Sequence, residues 1–425
     1  MTDSLRKIWL LPAFCLVLLS VSCEGVSETP PSRTEKNRTL LIYMAANNNL
    51  SANAVANLES LKQGYIPEDE GNIVVYYHIP DQAPLLLYLN GAGGGVAVDT
   101  VYRFPSMNSA TSSALASAMN VTKTLFPAKD FGLVLWSHAT GWLPEGAYAD
   151  AMYGARKISG TVQDGGTPLG PGDEKLVKLD FDAMRGISYG NTRSFGSDDG
   201  VEMEIADLAS ALPYKVSFII FDACFMGGIE VAYQLKDSTD YLLFSPTEVI
   251  STGYPYDKIA QPLFADTPDL QSVAEEFYNY YDSQLGTMRS ATVSLVRTSA
   301  LEQVAVEAAA LFETYRDNLP LLNKNNVQGY FRDASTPFFY DLEDFMTKLA
   351  GSAEAIASFR IALDQAVVYK ATTPYFINLP IDEARYSGLS TYIPDPADQD
   401  LLDYYATLAW NLRTGMVAAA DDTAE

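Results

Sequence analysis

The chain has 425 residues, of which 48% are hydrophobic and 19% charged, a composition typical of a globular protein and not of a disordered one. Its formal net charge of −25 at pH 7 makes nucleic acids and anionic membrane surfaces poor partners and favours cationic ones. The sequence contains three cysteines and two histidines, too few for an expected zinc site.

Residues 1–22 are typical of an export signal, because a short basic segment precedes an apolar stretch that is too short to span a membrane. The segment that ends at Cys23 is similar to a lipoprotein signal. We therefore expect an exported chain that is anchored to a bacterial membrane only through a lipid on Cys23. Cleavage without lipidation is the alternative, because Ser20 stands where such signals usually have an aliphatic residue. The polar residues 23–38 predict a flexible tether.

Apolar runs alternate with helical patterns from residue 39 onward, which predicts an α/β fold with a mostly parallel sheet between helices. Predicted strands lie at 39–44, 73–79, 84–89, 131–136, 216–220, 241–244, 290–296, 373–378 and 389–393. Predicted helices lie at 50–61, 109–125, 203–212, 228–235, 299–315, 338–349 and 353–368. We assign 39–265 to a core and 266–425 to a C-terminal α/β portion that packs on it.

Glycine and proline interrupt every periodicity between residues 144 and 200. We interpret this segment as a long surface loop, with a short strand at 177–179. Loops of this length inside a compact domain are uncommon and are often functional.

Cys224 is the only cysteine that can act as a free thiol after the leader, and it lies in residues 221–228, the segment that follows the predicted strand at 216–220. His138 likewise follows the strand at 131–136, whereas His78 falls inside a strand pattern. Ligands bind at the carboxyl ends of strands in open α/β sheets, so a cysteine and a histidine there predict a thiol–imidazole pair. The structural alternative is an inert core cysteine and a hydrogen-bonded histidine.

Five segments, in order, are similar to motifs of the clostripain-type cysteine peptidases. They are Thr39–Ser51, Leu133–Trp142, Phe221–Gly227, Thr252–Tyr256 and Tyr386–Pro394. The resemblance covers most of the chain after the tether. It implies a caspase-like α/β/α sandwich with a C-terminal α/β extension, and a cysteine endopeptidase activity on protein or peptide substrates.

The resemblance also implies residue roles. Cys224 is expected to be the nucleophile and His138 the general base and acid, since a neighbouring imidazole lowers the pKa of a thiol and later protonates the leaving amine. The backbone N–H groups of Ala139 and Cys224 are expected to form the oxyanion hole. Ala139 stands where glycine is common in the family, and Ser137 where asparagine is common.

By the same resemblance, Asp222 and Thr252 are expected to bind substrate. A carboxylate at Asp222 would pair with the Arg or Lys that precedes the scissile bond. Thr252 stands where relatives that favour basic residues carry an acid, and Glu248 and Asp257 are close enough in sequence to substitute for it. The alternative for Asp222 is a hydrogen bond to local backbone.

Self-cleavage in the 144–200 loop is a further implication, because that loop contains six basic residues. They are Arg156, Lys157, Lys175, Lys178, Arg185 and Arg193. A passive surface loop is the alternative. We expect a monomer that requires no cofactor and has no metal site, with calcium left open because some relatives respond to it. A non-catalytic peptide-binding protein, a transferase and a peptidase of non-basic specificity are the alternatives for function.

Overall fold

The computed structural model describes residues 33–67, 70–91, 96–144, 195–198, 201–332 and 338–417, which fall in one compact unit. The predicted leader, most of the predicted tether and most of the 144–200 loop, with its strand at 177–179, lie outside these residues.

Nine strands of the described chain form a single sheet in the order β12-β10-β9-β8-β5-β1-β2-β3-β4. The strands are β1 Lys36–Ala45, β2 Gly71–His78, β3 Leu85–Asn90, β4 Ala97–Arg103, β5 Ala128–Trp136, β6 Phe195–Asp198, β7 Val201–Met203, β8 Val216–Asp222, β9 Thr239–Phe244, β10 Thr292–Arg297, β11 Tyr340–Asp341, β12 Val367–Thr372, β13 Tyr375–Phe376, β14 Leu379–Pro380 and β15 Ser390–Thr391. The pairs β6–β7, β11–β15 and β13–β14 form separate two-stranded sheets.

The five central strands, β2, β1, β5, β8 and β9, pair in parallel, and both edges of the sheet are antiparallel. Their sequences explain this position. The last eight residues of β1 are all buried, as are the last six of β5. A strand covered on both faces needs such continuous apolar runs, which are typical of parallel sheets between helices.

Helices cover the sheet in two groups. The helices are α1 Ser51–Gln63, α2 Ser112–Leu125, α3 Ile205–Ser210, α4 Ile229–Leu235, α5 Tyr256–Leu263, α6 Leu270–Asp282, α7 Leu301–Tyr315, α8 Leu342–Ala350, α9 Ala357–Ala366, α10 Gln399–Thr407 and α11 Ala409–Thr414. Helices α1, α5 and α6 pack together, whereas α2, α3, α4, α7, α8, α9, α10 and α11 form a second set. The result is the predicted caspase-like α/β/α sandwich. Strands β10 and β12 come from the C-terminal portion, which therefore completes the sheet of the core.

Several sequence-based boundaries differ from the structure, including one at the tether and two at predicted helices. Strand β1 begins at Lys36, so residues 36–38 belong to the sheet and not to the tether. The helix predicted at 203–212 is shorter, because 201–203 pairs with β6 as strand β7. The helix predicted at 353–368 ends at Ala366, because β-branched residues that follow pair with β10 at the sheet edge.

Candidate active site

His138 lies two residues past the end of β5, in a segment whose backbone is tied to two other strands. The Ser137 hydroxyl donates to the carbonyl oxygen of Ala45, the last residue of β1, at 2.7 Å. The same hydroxyl accepts from the Ser197 amide at 3.1 Å, and the Gly196 amide donates to the His138 carbonyl oxygen at 3.0 Å. Strand β6 therefore holds the backbone of His138 in place.

Cys224 lies on a tight turn directly after β8. The next residue, Phe225, has a φ of 60°, a left-handed conformation that is uncommon outside glycine and is found at functional sites. The Phe225 amide donates to the Thr247 carbonyl oxygen, and the Gly227 amide to that of Ser245, both at 2.8 Å. The segment after β9 thus fixes the turn that carries the thiol.

The sheet register brings these two turns to the same place. Strands β5 and β8 are parallel neighbours in which Trp136 pairs with Asp222. His138 and Cys224 each follow that pair by two residues. Adjacent strands lie about 4.8 Å apart, so the two residues leave the sheet side by side at its carboxyl edge.

Gly141 provides a direct contact between the two turns. Its φ is +67°, and a Cβ atom at this position would lie 2.6 Å from the carbonyl oxygen of Phe225. The same atom would lie 3.0 Å from the ring of Phe339, which stacks on the ring of Phe225. The histidine and cysteine turns therefore pack against each other with no room for a side chain between them.

A family model described as the clostripain family of C11 peptidases matches residues 42–159 and 181–413. The chain belongs to the clostripain family. It is similar to the solved structure of an inactive zymogen C11 protease from Parabacteroides distasonis, with 30% identity, a TM-score of 0.73 and coverage of 90% of this chain and 99% of that one.

A secreted C11 cysteine protease from Bacteroides thetaiotaomicron, solved with an irreversible peptide inhibitor, shares the fold. Its identity is 23% and its TM-score 0.70, over 89% of this chain and 99% of that one. No curated protein matches the chain. The family places this chain among the cysteine peptidases, so peptides are its substrates.

Within the described residues of this clostripain-family chain, the backbone N–H groups of Ala139 and Cys224 donate no hydrogen bond. Ala139 faces Phe195 in an isolated antiparallel bridge and is 5% exposed. Its φ is not positive, so alanine fits where the family commonly has glycine. The two residues expected to form the oxyanion hole thus both retain an available donor.

The Cys224 thiol is held by one backbone residue of the neighbouring segment. Its Sγ accepts from the Val249 amide at 3.3 Å and lies 3.8 Å from the Val249 carbonyl oxygen. Burial raises the pKa of Cys224 to about 12, and the carboxylate of Glu248 adds to this, although the Val249 amide and the Arg332 charge act in the opposite direction. The thiol is protonated in this state.

The His138 ring is half-buried, and burial lowers its pKa to about 4. Its Nε2 lies 2.7 Å from Oδ1 of Asn49. The clostripain-family peptidase therefore holds a neutral thiol and a neutral imidazole in this state. This differs from the expectation that the imidazole lowers the pKa of the thiol, because removing both groups from water disfavours both charged forms.

Asp222 is buried, with 5% exposure, at the end of β8. Its Oδ2 accepts from the Tyr254 amide at 3.2 Å and from the Tyr256 hydroxyl at 2.9 Å. Burial raises the pKa of Asp222 to about 6, although these two donors partly lower it. Gly253 packs directly on the carboxylate, since a Cβ there would lie 2.4 Å from Oδ2. Asp222 thus holds the 253–256 segment in place through hydrogen bonds, a structural role that is separate from any role in binding substrate.

Thr252 is connected to the histidine strand through Asn57, a residue the sequence analysis did not single out. The Asn57 Nδ2 donates to the Thr252 carbonyl oxygen at 2.8 Å, and its Oδ1 accepts from the Trp136 indole at 2.9 Å. Asn57 comes from α1, so this helix joins the end of β5 to the loop that carries Thr252. In the sequence, Asn57 is marked only by its position shortly after the Thr39–Ser51 motif.

The two acids considered as substitutes for Thr252 have other partners. Glu248 forms a bidentate ion pair with Arg332, with one N–O distance of 2.9 Å. Both side chains are about nine-tenths buried. Asp257 is exposed in the first turn of α5, where Ser60 donates to it at 3.2 Å. The sequence alone does not indicate that Arg332 pairs with Glu248, because the two residues are 84 positions apart.

His78 lies outside this site. It is the last residue of β2, and its Nδ1 is 2.5 Å from the Ser109 hydroxyl and 3.0 Å from Oδ2 of Asp198. Asp198 ends β6 and also accepts from the Asn47 side chain at 2.6 Å. The cluster therefore anchors the strand that holds the His138 backbone.

Among the described residues, no three His, Cys, Asp or Glu side chains form a group able to hold a metal ion. No helix in the same residues is long and apolar enough to cross a membrane.

Proposed function

We propose that this peptidase is an endopeptidase in which Cys224 is the nucleophile and His138 the general base and acid. The observation that carries the proposal is the parallel register of β5 and β8, in which the Trp136–Asp222 pair precedes both residues by the same two positions. The contact of Gly141 with Phe225 supports it, since it holds the two turns together.

The chemistry follows from the neutral pair. As a peptide carbonyl carbon approaches Sγ, the imidazole takes the thiol proton and an S–C bond forms. The carbonyl oxygen becomes an oxyanion that the Ala139 and Cys224 amides stabilise. The imidazolium then gives its proton to the leaving amine as the C–N bond breaks. Water, deprotonated by the same ring, hydrolyses the thioester and restores the thiol.

We propose a preference for Arg or Lys before the scissile bond, with Asp222 as the anionic group. A carboxylate with a pKa raised to about 6 by burial is largely ionised at pH 7 to 8, and an entering cation stabilises that form. Thr252 precedes Gly253, the residue that packs on the Asp222 carboxylate, and it contributes an uncharged side chain to the same pocket. A peptidase of non-basic specificity is the competing proposal, because Asp222 already has two donors.

Activation by self-cleavage within 144–200 is also proposed. That segment follows the histidine turn and contains the basic residues that such a peptidase would cut. The relative from Parabacteroides distasonis is described as an inactive zymogen. We further propose an exported monomer, lipid-anchored through Cys23, that requires no cofactor, with a response to calcium left to experiment.

The decisive experiment is a fluorogenic peptide library, varied at the residue before the scissile bond, with the chain lacking its predicted leader. Cleavage after Arg or Lys that is absent in Cys224→Ala and in His138→Ala is expected. Cleavage after other residues would retain the peptidase and reject the basic pocket. Cleavage that persists in Cys224→Ala would reject the nucleophile.

Self-activation is tested by analysing the fragments of the purified chain. Purified wild-type chain is expected to yield two fragments whose new N-terminus follows a basic residue between 145 and 194, and Cys224→Ala is expected to stay intact. Mixing the two proteins at several concentrations separates cleavage within one molecule from cleavage between molecules. A Cys224→Ala chain that is cut at the same rate when purified alone would rule out self-cleavage.

A further inference from the structure

The side chain of Asn49 contacts the ring of His138. The family resemblance assigned no role to Asn49. Asn49 follows β1, the strand next to β5, and is exposed. Its Oδ1 lies 2.7 Å from Nε2 of His138, 89 residues further along the chain. Only the pairing of β1 with β5 brings the two together.

The loop that carries Asn49 is held firmly by its other two asparagines. Asn48 donates through Nδ2 to the Ser197 carbonyl oxygen at 2.6 Å and to that of Ala45 at 3.1 Å. Its Oδ1 accepts from the Leu50 amide at 2.9 Å. Asn47 donates to the carboxylate of Asp198 at 2.6 Å. Asn47 and Asn48 thus fasten the loop to β6, and the side chain of Asn49 is presented to the imidazole.

A neutral imidazole has one N–H donor and one acceptor nitrogen, and its neighbours decide which is which. A side-chain carbonyl oxygen can only accept. With Oδ1 of Asn49 2.7 Å from Nε2 of His138, the tautomer that forms a hydrogen bond at this contact is the one with its proton on Nε2 and its lone pair on Nδ1. In that tautomer the ring nitrogen able to receive a proton is Nδ1.

We propose that Asn49 is a positioning residue that fixes His138 in the Nε2–H tautomer, so that Nδ1 takes the proton from Cys224 and returns it to the leaving amine. This inference rests on the proposed roles of His138 and Cys224. When the ring is protonated, both nitrogens donate, and the Asn49 oxygen accepts from the imidazolium as well. Asn49 therefore orients the ring in both protonation states.

The tautomer can be measured directly, because the chain contains only two histidines. Long-range ¹H–¹⁵N spectra of protein labelled with ¹⁵N-histidine distinguish protonated from unprotonated ring nitrogens. His138→Gln assigns the signals, and His78, buried elsewhere, is the internal control. We expect a Nε2–H tautomer for His138 near pH 7 in wild type, and a mixture of tautomers in Asn49→Leu with the His78 signals unchanged.

Kinetics supply the second measurement. Asn49→Leu is expected to lower kcat by about 10- to 100-fold with KM within about twofold, as for loss of a residue that orients a general base. Asn49→Asp should restore the tautomer and part of kcat, and it should move the acid limb of the pH profile upward, because a carboxylate stabilises the imidazolium. Asn53→Leu, one turn further along in α1, is the matched control and should change none of these.

A Nδ1–H tautomer in wild type would overturn the inference, since the Asn49 amide nitrogen would then face the ring. So would a pure Nε2–H tautomer that survives in Asn49→Leu. A different result would contradict the proposed catalytic roles, namely peptide cleavage that is unchanged in Cys224→Ala. The spectra give their answer even for a protein that cleaves no peptide in the library.

Discussion

Gly141 packs on the carbonyl oxygen of Phe225, and this contact joins the turn of the candidate base to the turn of the candidate nucleophile. Each residue has a positive φ, 67° and 60° respectively. Gly141, which adopts this conformation freely, and Phe225, for which it is uncommon, therefore meet although they are 84 residues apart in sequence. A non-glycine residue such as Phe225 keeps this conformation only where the surrounding structure holds it, and such residues cluster at functional sites.

Gly141→Ala is expected to separate the two turns. The added methyl group would stand 2.6 Å from a backbone oxygen, which cannot move aside as a side chain would. We expect a loss of at least about tenfold in kcat/KM and of about 1–3 kcal/mol in unfolding free energy. Gly286→Ala is the matched control, because Gly286 has a φ of +58° and nothing within 4 Å of the new methyl group. Equal effects of the two substitutions would show that the contact itself contributes nothing.

The pH profile tests the neutral imidazole. Since burial lowers the pKa of His138 to about 4, the ring stays unprotonated and able to act as a base well below pH 6. For a substrate with a neutral residue before the scissile bond, kcat/KM should be nearly flat from pH 8 to 5 and fall only toward pH 4. Circular dichroism at each pH checks that the protein remains folded. An acid limb centred near pH 6.5, the ordinary value for histidine, would contradict the burial argument.

Asp222→Asn tests the substrate pocket. We expect kcat/KM for Arg substrates to fall by about 100-fold or more, and that for neutral substrates to change by only a few-fold. In wild type, the preference for Arg should itself weaken below about pH 6, because burial raises the pKa of Asp222 to about 6. Asp257→Asn, at an exposed acid near the same loop, is the control. An unchanged preference in Asp222→Asn would exclude this carboxylate as the specificity group.

The same carboxylate makes stability depend on pH. Burial raises the folded pKa of Asp222 from 3.8 to about 6, so its contribution is fully present below pH 3.8 and is lost as pH rises through 6. Asn resembles the protonated form. Asp222→Asn should therefore gain stability relative to wild type on going from pH 4 to pH 8, by up to about 3 kcal/mol. Urea unfolding of both proteins at the two pH values measures this, and a difference of the opposite sign would contradict it.

The buried Glu248–Arg332 pair should control the thiol. The Glu248 carboxylate contributes, after burial, to the raised pKa of Cys224, and the Arg332 charge opposes it. Glu248→Gln should therefore lower the thiol pKa and speed alkylation by iodoacetamide at pH 8 by about tenfold, whereas Arg332→Gln should slow it. Glu343→Gln breaks a more exposed Glu–Arg pair, Glu343 with Arg360 at 2.6 Å, and serves as the control. Identical alkylation rates in all three variants would show that the pair has no electrostatic effect on Cys224.

The sequence by itself predicted the strands of the central sheet and singled out Cys224 and His138 as the candidate reactive residues. Continuous apolar runs at β1, β5 and β8 predicted strands buried on both faces, because such burial needs an apolar side chain at every position. The shortage of cysteine and histidine left few candidates besides Cys224 and His138. The edges were harder to predict, since Val367 continues a helical pattern but pairs with Val296 of β10 once the sheet is assembled.

Only the tertiary structure decided what surrounds those two residues. The contacts Asn49–His138, Arg332–Glu248 and Gly141–Phe225 join residues more than 80 positions apart, and no local pattern encodes them. The protonation of the site was decided in the same way. Spacing suggests an imidazole that lowers the pKa of a thiol, but burial of both groups acts in the other direction, because desolvation penalises charge regardless of sequence.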